Sequence, residues 1–194
     1  MHGRRFPASE AHRLDDPARK VWLPPAEALR ALTLRSGDTI ADVGAGTGYF
    51  SLPLAHAVGP DGKVYAVDAQ AEMLSLLKRK IDRSELSNII LIHAEAGQTG
   101  VPASCCILFF LANVWHEIED PIAVIGEAMR VLKPGGSIAI LDWRTDVEPE
   151  HGPPLDDRVD ASRAMETLRS AGFGQVCSIN VGQYSWLVQG KKLP

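Results

Sequence analysis

The sequence predicts an α/β protein built on an open, mostly parallel sheet with one reversed strand. Two observations carry this expectation. Short β-branched runs alternate with longer stretches of helical spacing through most of the chain. Near the end, two strand-like runs flank Val181-Gly182-Gln183, a short-loop hairpin signal that sets them antiparallel. At 194 residues the chain has the length of one domain with a short extension.

Residues 39–43 read as the first strand, ending at a glycine-rich turn. Phe50, Leu54, Ala57 and Val58 then recur at helical spacing, with Pro53 acceptable only near the helix start. Residues 63–68 form the second strand, entered through Gly59-Pro60-Asp61-Gly62. Met73, Leu74, Leu77 and Ile81 give the face of the next helix, and Lys78, Arg79 and Lys80 read as its solvated side. Residues 89–92 are the third strand. Residues 105–111 are the fourth, apolar throughout as a strand buried on both faces should be. Ile122, Ile125, Met129 and Leu132 mark a helix expected to stop at Pro134-Gly135-Gly136, before a fifth strand at 138–141. Asp160 is placed to cap a helix carrying Ala161, Met165 and Leu168 and ending at Gly172. Residues 175–180 and 184–189 make the hairpin.

Two stretches fall outside this alternation. Residues 1–35 hold Asp16-Pro17, Pro24-Pro25 and an expected helix at 26–34, and are read as an N-terminal extension acting as a lid; 36–194 is the domain proper. Residues 143–159 form a polar loop. Both are expected over the carboxyl edge of the sheet, where open α/β folds bind ligands.

Composition removes several classes of function. Apolar residues reach 45%, enough for a substantial core, so disorder is not expected. A net charge of −4 argues against a nucleic-acid partner held by a bulk positive field. Spanning a bilayer takes about 18 apolar residues, and the best run here, 105–112, has eight. The basic start Met1-His2-Gly3-Arg4-Arg5 leads into no apolar stretch, so no signal peptide is read and a cytoplasmic location is expected. Three cysteines, two of them adjacent, form neither a disulfide framework nor a zinc pattern, and His2, His12, His56, His93 and His151 lack ligand spacing; no metal is expected. Trp22, Trp115, Trp143 and Tyr184 are each placed to reach the carboxyl edge, as packing or as pocket lining.

The chemistry starts at Asp42-Val43-Gly44-Ala45-Gly46-Thr47-Gly48-Tyr49-Phe50. A strand enters this turn and a helix leaves it, so the backbone can approach a ligand closely where helix N–H groups are free. The dinucleotide fingerprint G-x-G-x-x-G would need a glycine at Tyr49, and an NAD-dependent oxidoreductase is disfavoured on that count. Asp68 ends the second strand, twenty positions past Gly48, where a carboxylate can accept from both hydroxyls of a ribose or cap the following helix.

The pattern G-x-G-x-G preceded by an acid resembles the first motif of class I S-adenosylmethionine (SAM)-dependent methyltransferases, of the small-molecule, methyltransferase-11-like type. Asp68 followed by Ala69, Gln70 and Met73, the acid Glu95 with Ala96 after the third strand, and Arg130-Val131-Leu132-Lys133-Pro134-Gly135-Gly136 before the fifth strand continue the likeness over residues 36–145. Cys106 stands where many relatives carry an Asp at the start of the fourth strand. The segment ending at Asp142-Trp143 is read as a fold marker and not a site.

The resemblance implies a Rossmann-like three-layer sandwich whose seven-stranded, mostly parallel sheet has its last strand antiparallel. It implies SAM as cofactor and a small-molecule methyl acceptor. It places Asp42, Gly44, Gly46, Gly48, Tyr49, Asp68, Ala69, Met73, Glu95, Ala96 and Ala112 against the cofactor. His116, in the segment after the fourth strand, is the candidate base, with a packing or orienting role as the alternative. A non-catalytic SAM-binding protein is the competing function. Cys105 and Cys106 invite an arsenite-type site, but adjacent strand residues face opposite ways, and core packing is the expectation.

Overall fold

The alternation predicted above is realised as seven strands and six helices in a computed structural model that describes residues 5–148 and 150–194. The strands are β1 (Thr39–Val43), β2 (Lys63–Asp68), β3 (Ile89–His93), β4 (Cys106–Ala112), β5 (Leu132–Trp143), β6 (Phe173–Val181) and β7 (Ser185–Lys192). They form one sheet in the order β3-β2-β1-β4-β5-β7-β6. Pairings from β3 across to β5 are parallel, and β7 runs antiparallel to both its neighbours, so it alone is reversed. The expected Rossmann-like sheet is therefore the observed one.

The helices are α1 (Arg19–Trp22), α2 (Pro25–Ala31), α3 (Ser51–Val58), α4 (Ala71–Ile81), α5 (Pro121–Val131) and α6 (Ala161–Ser170). β4 shows why the sheet needs helices on both faces. Its Phe109 and Leu111 enter a core with Val124, Ile125, Ala128 and Leu168 from α5 and α6, while Leu108 and Phe110 pack on Ala28, Leu54 and Ala55 of α2 and α3. α4 closes over β2 through Leu77 against Ala66. Every one of these side chains is buried. An unbroken apolar run is what two buried faces demand.

Several sequence expectations shift. The phase of α5 is set by Pro121 at its first turn and by Asp120, whose side chain accepts from the Ala123 N–H at 3.0 Å. That phase turns Ile122 outward, 68% exposed, and buries Val124, Ala128 and Val131 instead. In α3 it is Ala55, not Ala57, that is buried. α5 stops at Val131, short of Pro134-Gly135-Gly136, because Leu132 already pairs with Cys106; the ladder resumes at Leu108–Ser137 after an irregularity. α2 ends at Ala31, three residues before the expected 34. A 3-10 run, Ala8–Asp15, had no periodic signal. Asp160 does cap α6, accepting from Ser162 N at 2.8 Å.

Because β1 to β5 run parallel, Val43, Asp68, His93, Ala112 and Trp143 all end on one edge, and reversed β7 brings Tyr184 to the same edge. Residues 5–25 lie across it. Phe6 O accepts from Gln70 Nε2 at 2.9 Å, Phe6 N–H donates to Glu117 at 3.2 Å, and Thr47 Oγ1 donates to Asp15 at 2.6 Å. Among the described residues, no helix is long and apolar enough to cross a membrane.

Candidate functional site

The turn after β1 is fixed by backbone hydrogen bonds: the N–H groups of Gly44 and Ala45 both donate to Val67 O, at 2.8 and 2.9 Å. The glycines serve different ends. A Cβ on Gly44 would stand 2.3 Å from Val114, and one on Gly48 would stand 2.2 Å from Leu77; both residues have positive φ. Gly48 thus packs against α4 and is not among the residues that line the cavity. Gly46 does face it.

Asp68 is the hinge of this region. Its Oδ2 accepts from Gly46 N at 2.7 Å and its Oδ1 accepts from Gln70 N at 2.8 Å. Asp68 thus orders the glycine turn and the approach to α4 without capping the helix itself, and each oxygen keeps lone-pair capacity for a ligand hydroxyl. Burial raises the Asp68 pKa, with the hydrogen bonds from Gln70 and Gly46 opposing. Asp42 is more deeply enclosed, at 2% exposed, and accepts from Ser51 Oγ at 2.5 Å. Burial pushes its pKa up to about 7, against the lowering effect of Ser51.

A cavity of about 1340 Å³ runs along this edge. It brings together Asp42, Gly44, Gly46, Tyr49, Asp68, Ala69, Met73, Glu95, Ala96, Ala112 and His116. Glu95 sits at the rim, where it pairs with Arg5 at 2.6 Å. Tyr49 donates from its hydroxyl to Leu23 O at 2.6 Å and so ties the extension to the start of α3.

At the far end of the cavity His116 is clasped by Asp142. Nδ1 lies 2.8 Å from Oδ1, and the His116 backbone N–H donates to Oδ2 at 2.9 Å. Nε2 faces Glu117 at 3.7 Å, beyond hydrogen-bond reach. Burial acts to lower the imidazole pKa, but the charge and hydrogen bond of Asp142, aided by Glu117, outweigh it and the net shift is upward. An imidazole whose Nδ1–H is held by a carboxylate presents Nε2 as a proton acceptor.

Sequence reasoning missed Asp142. Its signal was its place: like Asp42 and Asp68, it is an acid near the carboxyl end of a parallel strand. Also missed were Arg19 and His151, both lining the cavity; His151 stacks on Trp22 with ring centroids 4.7 Å apart. Trp22 and Trp143 line the cavity too, centroids 5.3 Å apart, whereas Trp115 is buried in the core and Tyr184 donates to Glu150 at 2.6 Å. Cys106 is buried at the opposite end of β4, Cys105 is half-buried beside it, and Cys177 is exposed on β6. His2 lies outside the described residues.

A family model described as a methyltransferase domain matches residues 40–136, half of the chain. The crystal structure of a SAM-dependent methyltransferase from Aquifex aeolicus superposes with a TM-score of 0.91 at 31% identity, covering 97% of this chain and 100% of that one. The chain belongs to the SAM-dependent methyltransferases. This methyltransferase is also 26% identical over 166 residues to the demethylmenaquinone methyltransferase of Listeria welshimeri, spanning 86% of this chain and 67% of the relative. The corresponding protein of Bacillus mycoides is 33% identical over 123 residues, and the chain spans about half of its length, 51%. A phosphoethanolamine N-methyltransferase of Haemonchus contortus, solved with SAM, shares the fold at a TM-score of 0.73 and 13% identity. SAM is accordingly the cofactor of this methyltransferase, and the dehydrogenase alternative falls away.

Proposed function

We propose that this enzyme methylates a small-molecule acceptor bound at the His116 end of the cavity, with His116 taking the acceptor's proton. The observation that carries this reading is the His116–Asp142 clasp, which fixes a largely buried imidazole in the cavity wall. It leaves Nε2 free of any hydrogen bond among the described residues, with Glu117 3.7 Å away.

The residues present suit the cofactor. Asp68, oriented through both oxygens by backbone N–H groups, is proposed to take the ribose hydroxyls. Gly44 and Gly46 keep the turn open beside it, and Asp42 would face the amino-acid end. Ala69, Met73, Glu95 and Ala96 would flank the adenine, with Tyr49 and Ala112 lining the approach to the reacting centre. When bound, the sulfonium supplies an already activated methyl group. The chain's share is to position the acceptor, exclude water and accept a proton at Nε2 of His116. Asp142 holds the ring and stabilises the imidazolium that results. Residues 5–25 are proposed to act as the lid that completes the enclosure.

The relatives named demethylmenaquinone methyltransferase support a small-molecule acceptor, as does a cavity of this size. A cytoplasmic location is inferred with it, supported by three free cysteines. Incubation with methyl-labelled SAM and a panel of phenols, hydroquinones, amines and thiols tests the reading. Label in one acceptor class is expected. SAM binding with no labelled product from any class would favour a binding protein on this fold.

A further inference from the structure

We propose that Arg19 binds the carboxylate at the methionine end of the methyl donor. This rests on the reading that the cavity holds SAM, and it names the group that anchors one end of that ligand.

Arg19 lies on α1 in the N-terminal extension and lines the cavity, yet it is only 7% exposed. Its Nη1 donates to Leu14 O at 3.2 Å, while Nε is buried with no hydrogen-bond partner. Among the described residues, no carboxylate lies within ion-pair distance of the guanidinium. Asp15 would be the natural counter-ion, but its carboxylate is taken by Thr47 and Lys80. The guanidinium instead rests 4.1 Å from the centre of the Tyr49 ring. Burial pulls its pKa down to about 10, against the raising effects of Tyr49 and Asp15. A charge this enclosed is costly unless paired, and a planar guanidinium matches a carboxylate through two parallel hydrogen bonds.

Arg158 makes the contrast. It is equally enclosed, but its nitrogens donate to Pro153 O, Arg144 O and His151 O at 3.0, 2.7 and 2.6 Å. Arg158 is satisfied by the chain and straps the 144–158 loop; Arg19 is left short of a partner inside the cavity.

Position selects which carboxylate. Residues 14–19 sit directly over the glycine turn: Leu14 Cδ1 lies 3.5 Å from where a Gly46 Cβ would be, Asp15 holds Thr47, and Arg19 covers Tyr49. With the ribose at Asp68 on β2, a donor extending back over the turn toward β1 brings its amino-acid end beneath Arg19.

The test compares SAM with decarboxylated SAM, which keeps the sulfonium and the amine and lacks only the carboxylate. By calorimetry, the parent is expected to prefer SAM by about tenfold or more. Arg19→Met should reduce that preference to within about twofold, and Arg19→Lys should restore part of it. The preference is a ratio within each protein, so a partly folded preparation does not distort it. An unchanged preference in Arg19→Met overturns the assignment and leaves the donor reading intact. Equal loss of both ligands also overturns it, because it would mean that Arg19 only shapes the lid. A parent that binds neither ligand overturns the donor reading itself.

Discussion

Nδ1 of His116 stands 2.8 Å from Oδ1 of Asp142, and the same carboxylate accepts the His116 main-chain N–H at 2.9 Å. The two residues are 26 apart in sequence and meet because β4 and β5 pair in parallel, with Ala112 opposite Leu141. Trp143 N also donates to Asp142, at 2.8 Å, so the carboxylate is itself held still. The clasp fixes which nitrogen of the ring carries the proton and which is free.

Replacing His116 with Ala should leave SAM affinity within about twofold and lower turnover by ~10²–10⁴, the range typical of general-base loss. Turnover of the parent should fall on the acid side with an apparent pKa above the ordinary 6.5, because the folded imidazole is raised. Near-parental turnover with an unchanged pH profile would return His116 to a packing role.

Asp142→Asn removes the charge that outweighs burial at His116. The acid limb of the rate profile should then move to lower pH, and the plateau should drop as the ring loses its clasp. Adding Asp142→Asn to His116→Ala should cost little further, since the two act through one group. Additive losses would separate them.

Asp68→Ala removes the proposed ribose partner. Charge-assisted hydrogen bonds contribute about 1.5–3 kcal/mol each, so titration calorimetry should show SAM affinity down by at least about tenfold. Unchanged affinity would sink the ribose assignment.

What the sequence made legible was local. Asp42 and Asp68 were readable because each lies at or next to the end of a short β-branched run beside a punctuating turn, and β4 because two buried faces impose an unbroken apolar string. The reversed β7 followed from a tight loop. Asp142 was not readable as a site residue, since its meaning depends on β4 and β5 being neighbours, which no local pattern states. Gly48 shows a finer limit: spacing marks a glycine but not whether its missing Cβ would meet a ligand or Leu77. Arg19 sits in a four-residue helix with no periodic signal, and its importance comes only from being enclosed without a counter-ion.

The extension is anchored by buried Leu23 and tied to the cavity rim by hydrogen bonds, among them those of Phe6 with Gln70 and Glu117 and of Asp15 with Thr47. Hydrogen bonds at a cavity rim open more readily than core strands and gain protection when a ligand is enclosed beneath them. Hydrogen exchange of residues 5–25 is expected to slow when SAM binds. Identical exchange with and without SAM would leave this segment as a passive cover.

Asp42 gives the clearest dependence on pH. Burial raises its folded pKa to about 7 from 3.8, so its contribution to stability is fully present below the unfolded value and is lost as pH rises through about 7. The ligand-free parent should therefore lose thermal stability between about pH 4 and pH 7, where the unfolded carboxyl has ionised and the enclosed one keeps its proton, and level off above that. Asp42→Asn cannot ionise, so its Tm should hold over that window and the gap between variant and parent should widen with pH. Donor binding adds a second readout. An ammonium brought to Asp42 stabilises its ionised form, so binding near pH 7 should release a proton in the parent and not in the variant. Calorimetry in buffers of different ionisation enthalpy measures that proton directly. Parallel Tm curves and equal proton release would mean that Asp42 already carries its charge in the folded chain.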